Sequence, residues 1–204
     1  MIEKFKIQKL IFTGVAGGLS KNVKIGDLVL AKNTIQHDLD ITGVSTTLKF
    51  GQVAMPNPDG TWNPDPIQTP CDELMLAKAK NIIFEDVDFM SKSEYHIGTI
   101  ATGDIFCDKV EIKKEILEKF SFLEEDGDEV LAVEMEGASV NKVCQQMGVG
   151  CLVIRSVSDD GDGNIPEDFG DFMYKTALVS ANLTLKLVAS LCGDENGKNE
   201  LWYP

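Results

Sequence analysis

Arginine is almost absent from this chain of 204 residues, since Arg155 is the only one. Lys and Arg together number 19 against 33 Asp and Glu, which gives a formal net charge of −14. Binding to nucleic acid or to an anionic membrane surface needs clustered Lys and Arg, because the release of counterions drives it. The composition therefore argues against nucleic-acid and membrane partners. It also leaves few groups for holding a phosphate, which usually takes arginine forks or a glycine-rich nest.

Metal-binding patterns are scarce as well. The chain has two histidines, and its five cysteines form no C-x-x-C pair, which argues against a zinc site. A calcium-like run begins at Asp159, but the sixth position counted from Asp160 is Ile165 instead of glycine, so calcium is rejected. The first residues lack the apolar core of a signal sequence, and no apolar run approaches the ~20 residues of a membrane span. We predict no metal, no cofactor, reduced thiols and a cytoplasmic location.

Short apolar runs alternate with helical patterns along the chain. Runs that are apolar throughout indicate strands buried on both faces, as in a mainly parallel sheet covered by helices. We therefore predict a single α/β domain over 1–193, followed by a polar C-terminal tail over 194–204. The predicted strands are 9–13, 23–31, 96–102, 130–133 and 151–157, and the predicted helices are 69–84, 108–120, 136–147 and 166–192.

Glycine, aromatic and acidic residues follow four of the predicted strands. Ligands of open α/β sheets bind at the carboxyl ends of the strands, so we expect these segments to line one site. Phe106 either stacks on a planar ligand or packs in the core, and the sequence weighs these alternatives equally. The glycine-rich segment either faces a ligand or is a plain turn. The four segments are Gly14–Gly18, Gly103–Phe106, Glu134–Glu136 and Ser158–Asp159.

Three segments carry a resemblance to a known family, namely Phe12–Gly18 (FTGVAGG), Ala132–Ala138 (AVEMEGA) and Val153–Asp159 (VIRSVSD). They resemble the nucleoside phosphorylase/nucleosidase superfamily, and within it 5′-methylthioadenosine/S-adenosylhomocysteine nucleosidase. The resemblance runs in consistent order from about Lys9 to Leu191. It implies a three-layer sandwich with a mixed, mainly parallel central sheet, and a homodimer. It also implies a purine nucleoside substrate, whose bond between adenine and a 5′-thio-substituted ribose is hydrolysed.

The same resemblance implies a role for individual residues. Asp159 is the general acid that protonates the purine at N7, Ser158 helps to position it, and Glu136 binds the ribose 2′- and 3′-hydroxyls. The neighbouring subunit's loop near 41–56 closes over the 5′-thio group. The other substrate-binding residues are Glu134, Met135 against the sugar, Phe106 stacked on adenine, Cys107 with its backbone at the adenine edge, and Val15, Ala16 and Gly17 on the ribose side.

The sequence departs from the family in two places. Family members carry a further N-terminal segment with a glutamate that activates the attacking water, and no residue of this chain inherits that role. Val15 stands where many members have serine. The fold is thus expected to be N-terminally truncated relative to the family. Three explanations are open: a start codon assigned too late, a truncated and inactive product, or a repurposed pocket.

Two other functions stay open at the level of sequence. A purine nucleoside phosphorylase-like enzyme needs a phosphate site, but no arginine precedes Gly14–Gly18 and Arg155 lies in another strand, so hydrolysis is favoured. A non-catalytic nucleoside-binding or dimerisation module fits the absent glutamate, whereas the presence of Glu136 and Asp159 opposes it. The sequence does not distinguish methylthioadenosine from S-adenosylhomocysteine, 5′-deoxyadenosine or futalosine.

Overall fold

Five strands of the protein close into a barrel. The computed structural model describes residues 1–43, 48–52, 54–56, 59–85, 94–161 and 169–193. The strands are β1 Lys9–Gly18, β2 Leu28–Gln36, β3 Ala54–Pro56, β4 Trp62–Pro64, β5 Thr69–Pro70, β6 Tyr95–Thr102, β7 Val130–Glu134 and β8 Gly150–Asp159. The helices are α1 Ile2–Phe5, α2 Glu73–Glu85, α3 Val110–Lys119, α4 Phe122–Glu125, α5 Gly137–Gln146 and α6 Phe169–Gly193. The predicted tail, 194–204, lies outside the described residues.

The barrel runs in the order β2-β6-β7-β1-β8, and β2 completes it by pairing with β8. The pairs β1–β8, β2–β6 and β6–β7 are parallel, whereas β1–β7 and β2–β8 are antiparallel. The prediction of an α/β fold with a mixed sheet is confirmed. Three of these five pairs are parallel, but the sheet is a closed barrel and not the flat layer of a three-layer sandwich, because it curls until Leu28–Leu30 of β2 pairs with Ile154–Ser156 of β8. Closure gives hydrogen-bond partners to edges that an open sheet leaves unpaired.

Three predicted boundaries also need correction. β1 does not stop at Gly14 but continues through Gly18, because its ladder with β8 extends to the pair Gly17–Asp159. The predicted second strand begins at Leu28 instead of Val23, after a turn in which the Lys24 amide donates to Asp27 Oδ2 at 2.9 Å. The helix predicted from residue 69 begins at Glu73, because Thr69 pairs with β2; Asp72 caps the helix by accepting the Met75 amide at 2.9 Å.

The largest hydrophobic core lies between the barrel and helices α2 and α6. Leu30 of β2 and Ile154 of β8 are fully buried there, together with Met75 of α2 and Leu183 of α6. Each such side chain stabilises the fold by about 1.5–3 kcal/mol relative to an exposed position. A second cluster packs α3 and α4 on the barrel around Phe120. No helix among the described residues combines the length and the apolar character needed to cross a membrane.

Candidate active site

A cavity of about 320 Å³ opens beside the C-terminal parts of β1, β7 and β8 and the loop after β6. This volume lies at the lower end of the range for small-molecule sites. The structure brings all ten residues predicted for the site to its walls, and adds Ile105 and Val133. The ten are Val15, Ala16, Gly17, Phe106, Cys107, Glu134, Met135, Glu136, Ser158 and Asp159.

The strand pairing explains why these residues converge. β1 and β7 are antiparallel and pair only at Gly17–Val133 and Gly18–Ala132, which lie near the C-terminal ends of both strands. β8 runs beside β1 and is parallel to it. The acidic residues at the ends of β7 and β8 therefore face the same cavity, although the two strands point in opposite directions.

A β-bulge sets the direction of the residues at the end of β8. Ala16 pairs with Val157, but Gly17 pairs with Asp159, so that Ser158 is an extra residue in the ladder. Bulges bend a strand and re-aim its side chains, and they are frequent next to active sites. Here Ser158 and the half-buried Asp159 both line the cavity.

The carboxylate of Asp159 is held at both oxygens. The Ser158 hydroxyl lies 2.8 Å from Oδ2 and 3.3 Å from the Ala16 carbonyl, and the Gly161 amide donates to Oδ1 at 2.9 Å. Gly17 lies directly against this group, since a Cβ at that position would come within 2.8 Å of Oδ1. These contacts fix the orientation of the carboxylate toward the cavity.

Glu134 is the best-bonded acidic residue of the site, and its side chain is only 3% exposed. Its carboxylate accepts hydrogen bonds from the Thr102 hydroxyl and the Arg155 guanidinium. It also accepts the Gly137 amide at 2.8 Å and the Glu136 amide at 3.2 Å, at the start of α5. The oxygens of Glu134 are thus occupied by protein groups that fix the β7–α5 junction.

Glu136 has the opposite character, because its side chain is 61% exposed. Its Oε2 lies 3.5 Å from Arg155 Nη2 and otherwise faces the open cavity. The buried Arg155 also stacks on the Phe12 ring, with its guanidinium carbon 4.5 Å from the centroid. Gly14 makes room for it, because a Cβ there would overlap the guanidinium. The only arginine of the chain is therefore committed to this acidic pair.

The opposite wall of the cavity is apolar and open. Ile105, Phe106 and Met135 are 53%, 55% and 41% exposed. Phe106 is thus not a core residue, which leaves stacking on a ligand as the remaining alternative from the sequence. Cys107 is buried, and its thiol donates to the Gly161 carbonyl at 3.3 Å. Burial raises the pKa of this thiol to about 11, so it is a neutral donor near pH 7.

Sequence reasoning did not single out three residues that build the site. Thr102 bonds Glu134 and also accepts the Ala138 amide at 2.8 Å. Gly161 takes φ +63° and presents its amide to Asp159. Lys113 reaches from α3 to two main-chain carbonyls beside the bulge. Gly161 had a local signal, since it follows two aspartates after a strand, but the other two contacts join distant segments.

One group of potential metal ligands occurs among the described residues. Ligand atoms of Asp27, Glu94 and His96 lie within 4.8 Å of one another, and His96 Nε2 is 2.9 Å from Asp27 Oδ2. The Lys24 and Glu94 amides already donate to Asp27. None of the three residues lines the cavity.

Comparison with known proteins identifies enzymes that are related to this chain. The sequence model of the phosphorylase superfamily matches residues 1–189. Aminodeoxyfutalosine nucleosidase of Helicobacter pylori is 36% identical over 191 residues, which cover 94% of this chain and 72% of that protein. The 5′-methylthioadenosine/S-adenosylhomocysteine nucleosidase of Aeromonas salmonicida is 33% identical over 191 residues, with coverage of 94% and 74%.

A solved structure agrees with the sequence comparison. It is the 5′-methylthioadenosine/S-adenosylhomocysteine nucleosidase of Neisseria meningitidis in complex with methylthio-immucillin-A, which has a TM-score of 0.76 and 32% identity. The match covers 93% of this chain and 72% of that one. The chain therefore belongs to the phosphorylase superfamily.

Proposed function

We propose that the protein is a purine nucleosidase that hydrolyses the N-glycosidic bond of 5′-methylthioadenosine or S-adenosylhomocysteine. The observation that carries this proposal is the single cavity in which an oriented Asp159, an exposed Glu136 and the open aromatic Phe106 face one another. The related proteins at 33–36% identity support it, because they are 5′-methylthioadenosine/S-adenosylhomocysteine and aminodeoxyfutalosine nucleosidases. The products are adenine and the corresponding 5-thioribose.

Asp159 acts as the proton donor in this proposal. When the C1′–N9 bond breaks, its electron pair moves into the purine, and adenine is a poor leaving group as an anion. A proton from Asp159 to N7 makes the leaving group neutral, and a well-placed acid contributes about 10²–10⁴-fold to the rate. Ser158 and Gly161 support this role because they fix both oxygens of the carboxylate.

On the sugar side of the site, Glu136 contacts the ribose directly, whereas Glu134 acts indirectly by holding the backbone. Glu136 accepts hydrogen bonds from the ribose 2′- and 3′-hydroxyls through its exposed carboxylate. Glu134 keeps the start of α5 in place and so fixes the backbone of Glu136 and Met135. The net negative charge that this pair keeps beside Arg155 favours the positive charge that develops at C1′ as the bond breaks. Water then adds at C1′ and releases one proton, which replaces the proton that Asp159 gave to the purine.

Hydrolysis is favoured over phosphorolysis by the position of Arg155. The Arg155 guanidinium donates to Glu134 and lies 3.5 Å from Glu136, so the only arginine is paired with two carboxylates, and the three groups together keep a net charge of −1. A phosphate at this place would meet the charge of Glu136. The assay separates the reactions: a nucleosidase releases free thioribose at the same rate with and without added phosphate, whereas a phosphorylase needs phosphate.

The substrate has a second candidate, because the Helicobacter pylori relative at 36% identity is an aminodeoxyfutalosine nucleosidase. Both substrates present an N-glycosidic bond to Asp159 and a ribose to Glu136, and they differ at the 5′ position. Parallel measurements of kcat/KM for aminodeoxyfutalosine, methylthioadenosine and S-adenosylhomocysteine decide between them.

We also propose that the protein is a homodimer in the cytoplasm. The apolar mouth of the cavity, formed by Ile105, Phe106 and Met135, supports a covering loop from a second subunit. Residues 44–47 and 53 of the loop expected to do this lie outside the described residues. All five cysteines are unpaired, in keeping with a reducing compartment. Light scattering and the dependence of activity on dilution test the dimer.

The central experiment is the release of adenine by the wild-type protein and by Asp159→Asn. Asn keeps the shape of the side chain but cannot donate the proton, so we expect kcat to fall about 10²–10⁴-fold. Asp104→Asn changes the charge equally at an exposed residue that does not line the cavity, and it should keep wild-type kcat. Near-full turnover by Asp159→Asn would refute the assignment of the proton donor.

A further inference from the structure

Lys113 joins the ends of the two strands that meet beside Asp159. Its ammonium lies 2.9 Å from the carbonyl of Gly18, the last residue of β1, and 2.6 Å from the carbonyl of Asp160, the first residue after β8. Gly18 follows the glycine that touches the Asp159 carboxylate, and Asp160 follows Asp159 itself. The bridge therefore spans the position at which the acid is held.

The bulge lies at the end of the ladder that this bridge spans. The β1–β8 ladder shifts between Ala16 and Gly17, and its last pair is Gly17–Asp159. Beyond this pair the strands have no regular ladder to keep them together, although the carboxylate must stay close to Gly17. An ammonium that donates to one carbonyl from each side makes charge-assisted hydrogen bonds, which are about twice as strong as neutral ones.

Cys107, which lies shortly before Lys113 in the chain, contacts the residue after Asp160. The Cys107 thiol donates to the Gly161 carbonyl, while the Gly161 amide donates to Asp159 Oδ1. The segment from Cys107 to Lys113 thus binds two consecutive carbonyls of the turn that carries the acid. Of the two donors, only Lys113 also reaches β1.

We propose that Lys113 is a positioning residue for the proton donor Asp159, an inference that rests on the proposed nucleosidase activity. It sets the angle and distance at which the carboxylate meets the purine, and it makes no contact with the substrate itself. Without this bridge the turn that follows Asp159 shifts, whereas the other walls of the substrate cavity stay in place. A displacement of about 1 Å in a reacting group can lower a rate roughly 100-fold.

The test compares Lys113→Met with Lys114→Met. Both variants lose one positive charge from α3, but the Lys114 side chain is 74% exposed and, within the described part of the chain, forms an ion pair only with Glu118. For 5′-methylthioadenosine we expect Lys113→Met to lower kcat roughly 10- to 100-fold while KM changes less than about threefold. Lys114→Met should keep wild-type values. Lys113→Arg, which retains two or more donors, should recover part of kcat.

A second substrate separates positioning of the acid from general damage. A 4-nitrophenyl riboside with the same 5-methylthio group has a leaving group that is stable as an anion and needs no proton. Lys113→Met should cleave it at nearly the wild-type rate, as should Asp159→Asn. The double variant Lys113→Met/Asp159→Asn should be no slower on methylthioadenosine than Asp159→Asn alone, because both changes act on one step.

Three results would overturn the inference: wild-type kcat in Lys113→Met, equal losses on both substrates, or additive losses in the double variant. If Lys113→Met fails to give the wild-type circular dichroism spectrum, Lys113→Gln, which is polar but shorter and uncharged, undergoes the same comparison. A wild-type protein that releases no adenine would refute the proposed function and this inference together. If the wild-type protein is active and substitution of Lys113 leaves kcat unchanged, the inference alone is refuted.

Discussion

Glu134 and Glu136 are two positions apart, but the structure gives them opposite environments. The Glu134 side chain is 3% exposed and bonded to Arg155, whereas the Glu136 side chain is 61% exposed. Removing one partner of a buried ion pair leaves the other charge uncompensated, which costs about 3–5 kcal/mol. Neutralising an exposed carboxylate changes stability by less than about 1 kcal/mol. The same substitution at the two positions should therefore have different consequences.

We expect Glu134→Gln to lower the free energy of unfolding by about 3–5 kcal/mol, because the Arg155 charge stays buried and keeps only its longer contact with the exposed Glu136. Glu136→Gln should keep wild-type stability within about 1 kcal/mol and instead lose activity, through weaker binding of the ribose hydroxyls. Urea denaturation and adenine release, measured on both variants, check this. Equal stability of the two variants would show that the ion pair has no structural role.

The roles of single residues were accessible from the sequence only where a local pattern carried them. The acidic run after β7 and the Ser158–Asp159 pair after β8 pointed to the cavity because they interrupt apolar strands. The requirement for glycine at position 17 was not visible, since it comes from Asp159, which is 142 residues away. Lys113 was equally hidden, because a lysine on a surface helix normally reads as a solvated charge.

At the scale of secondary structure, a polar side chain in the middle of α5 helps to fix the helix to the barrel. Asn141 is buried, and its amide group donates to Thr34 Oγ1 at 3.1 Å and to the carbonyls of Thr69 and Pro70 at 3.0 and 3.3 Å. It thus joins α5, the helix that follows Glu136, to β2 and β5. The position of the sugar-binding end of α5 depends on this contact and on the Glu134 bonds.

Asn141→Ala should lower the free energy of unfolding by about 1–3 kcal/mol, because buried carbonyls lose their donor. Asn141→Asp should cost more, since a carboxylate would face the same carbonyls without a proton to give. Chemical denaturation measures both, with Gln146→Ala as the control, because that side chain is exposed on the same helix. If Asn141→Ala were as stable as the control, α5 would be held by its apolar face alone.

The sequence predicted the elements better than their connections. β6, β7 and β8 agree with the predicted strands within two residues, because buried strands read as continuous apolar runs. The continuation of β1 through a glycine-rich segment was missed, since glycine normally marks a turn and only the partner strand β8 keeps it extended. β5 was missed because a strand of two residues is too short to show a sequence pattern.

At the scale of the whole molecule, barrel closure was the feature that sequence reasoning could not reach. It depends on β2 and β8, in which Leu28 pairs with Ser156 across 128 positions of the chain. Each strand contributes a short apolar run, Leu28–Ala31 and Cys151–Ile154, and such runs are shared by open parallel sheets and closed barrels. Which of the two forms depends on accumulated twist, which no local residue pattern reports.

The buried thiols make the stability of the whole fold sensitive to alkaline pH. Burial raises the pKa of Cys71 and of Cys107 from 9.0 to about 11, and it raises the pKa of Cys151 further. A thiol whose pKa is higher in the folded state contributes its full stability below pH 9, where both states are protonated. As pH rises above 9 the unfolded chain releases the proton first, so stability falls until the folded pKa is passed.

We therefore expect the free energy of unfolding to fall between pH 8 and pH 10.5, by roughly 2 kcal/mol for each of Cys71 and Cys107, since one pKa unit corresponds to about 1.4 kcal/mol. In Cys71→Ala the fall should be roughly 2 kcal/mol smaller. The cost of the cavity left by the thiol is equal at both pH values and cancels in the difference. Urea denaturation at the two pH values measures this, with Cys192→Ala, an exposed position, as the control. An equal fall in the wild type and in Cys71→Ala would show that this thiol ionises alike in the folded and unfolded states.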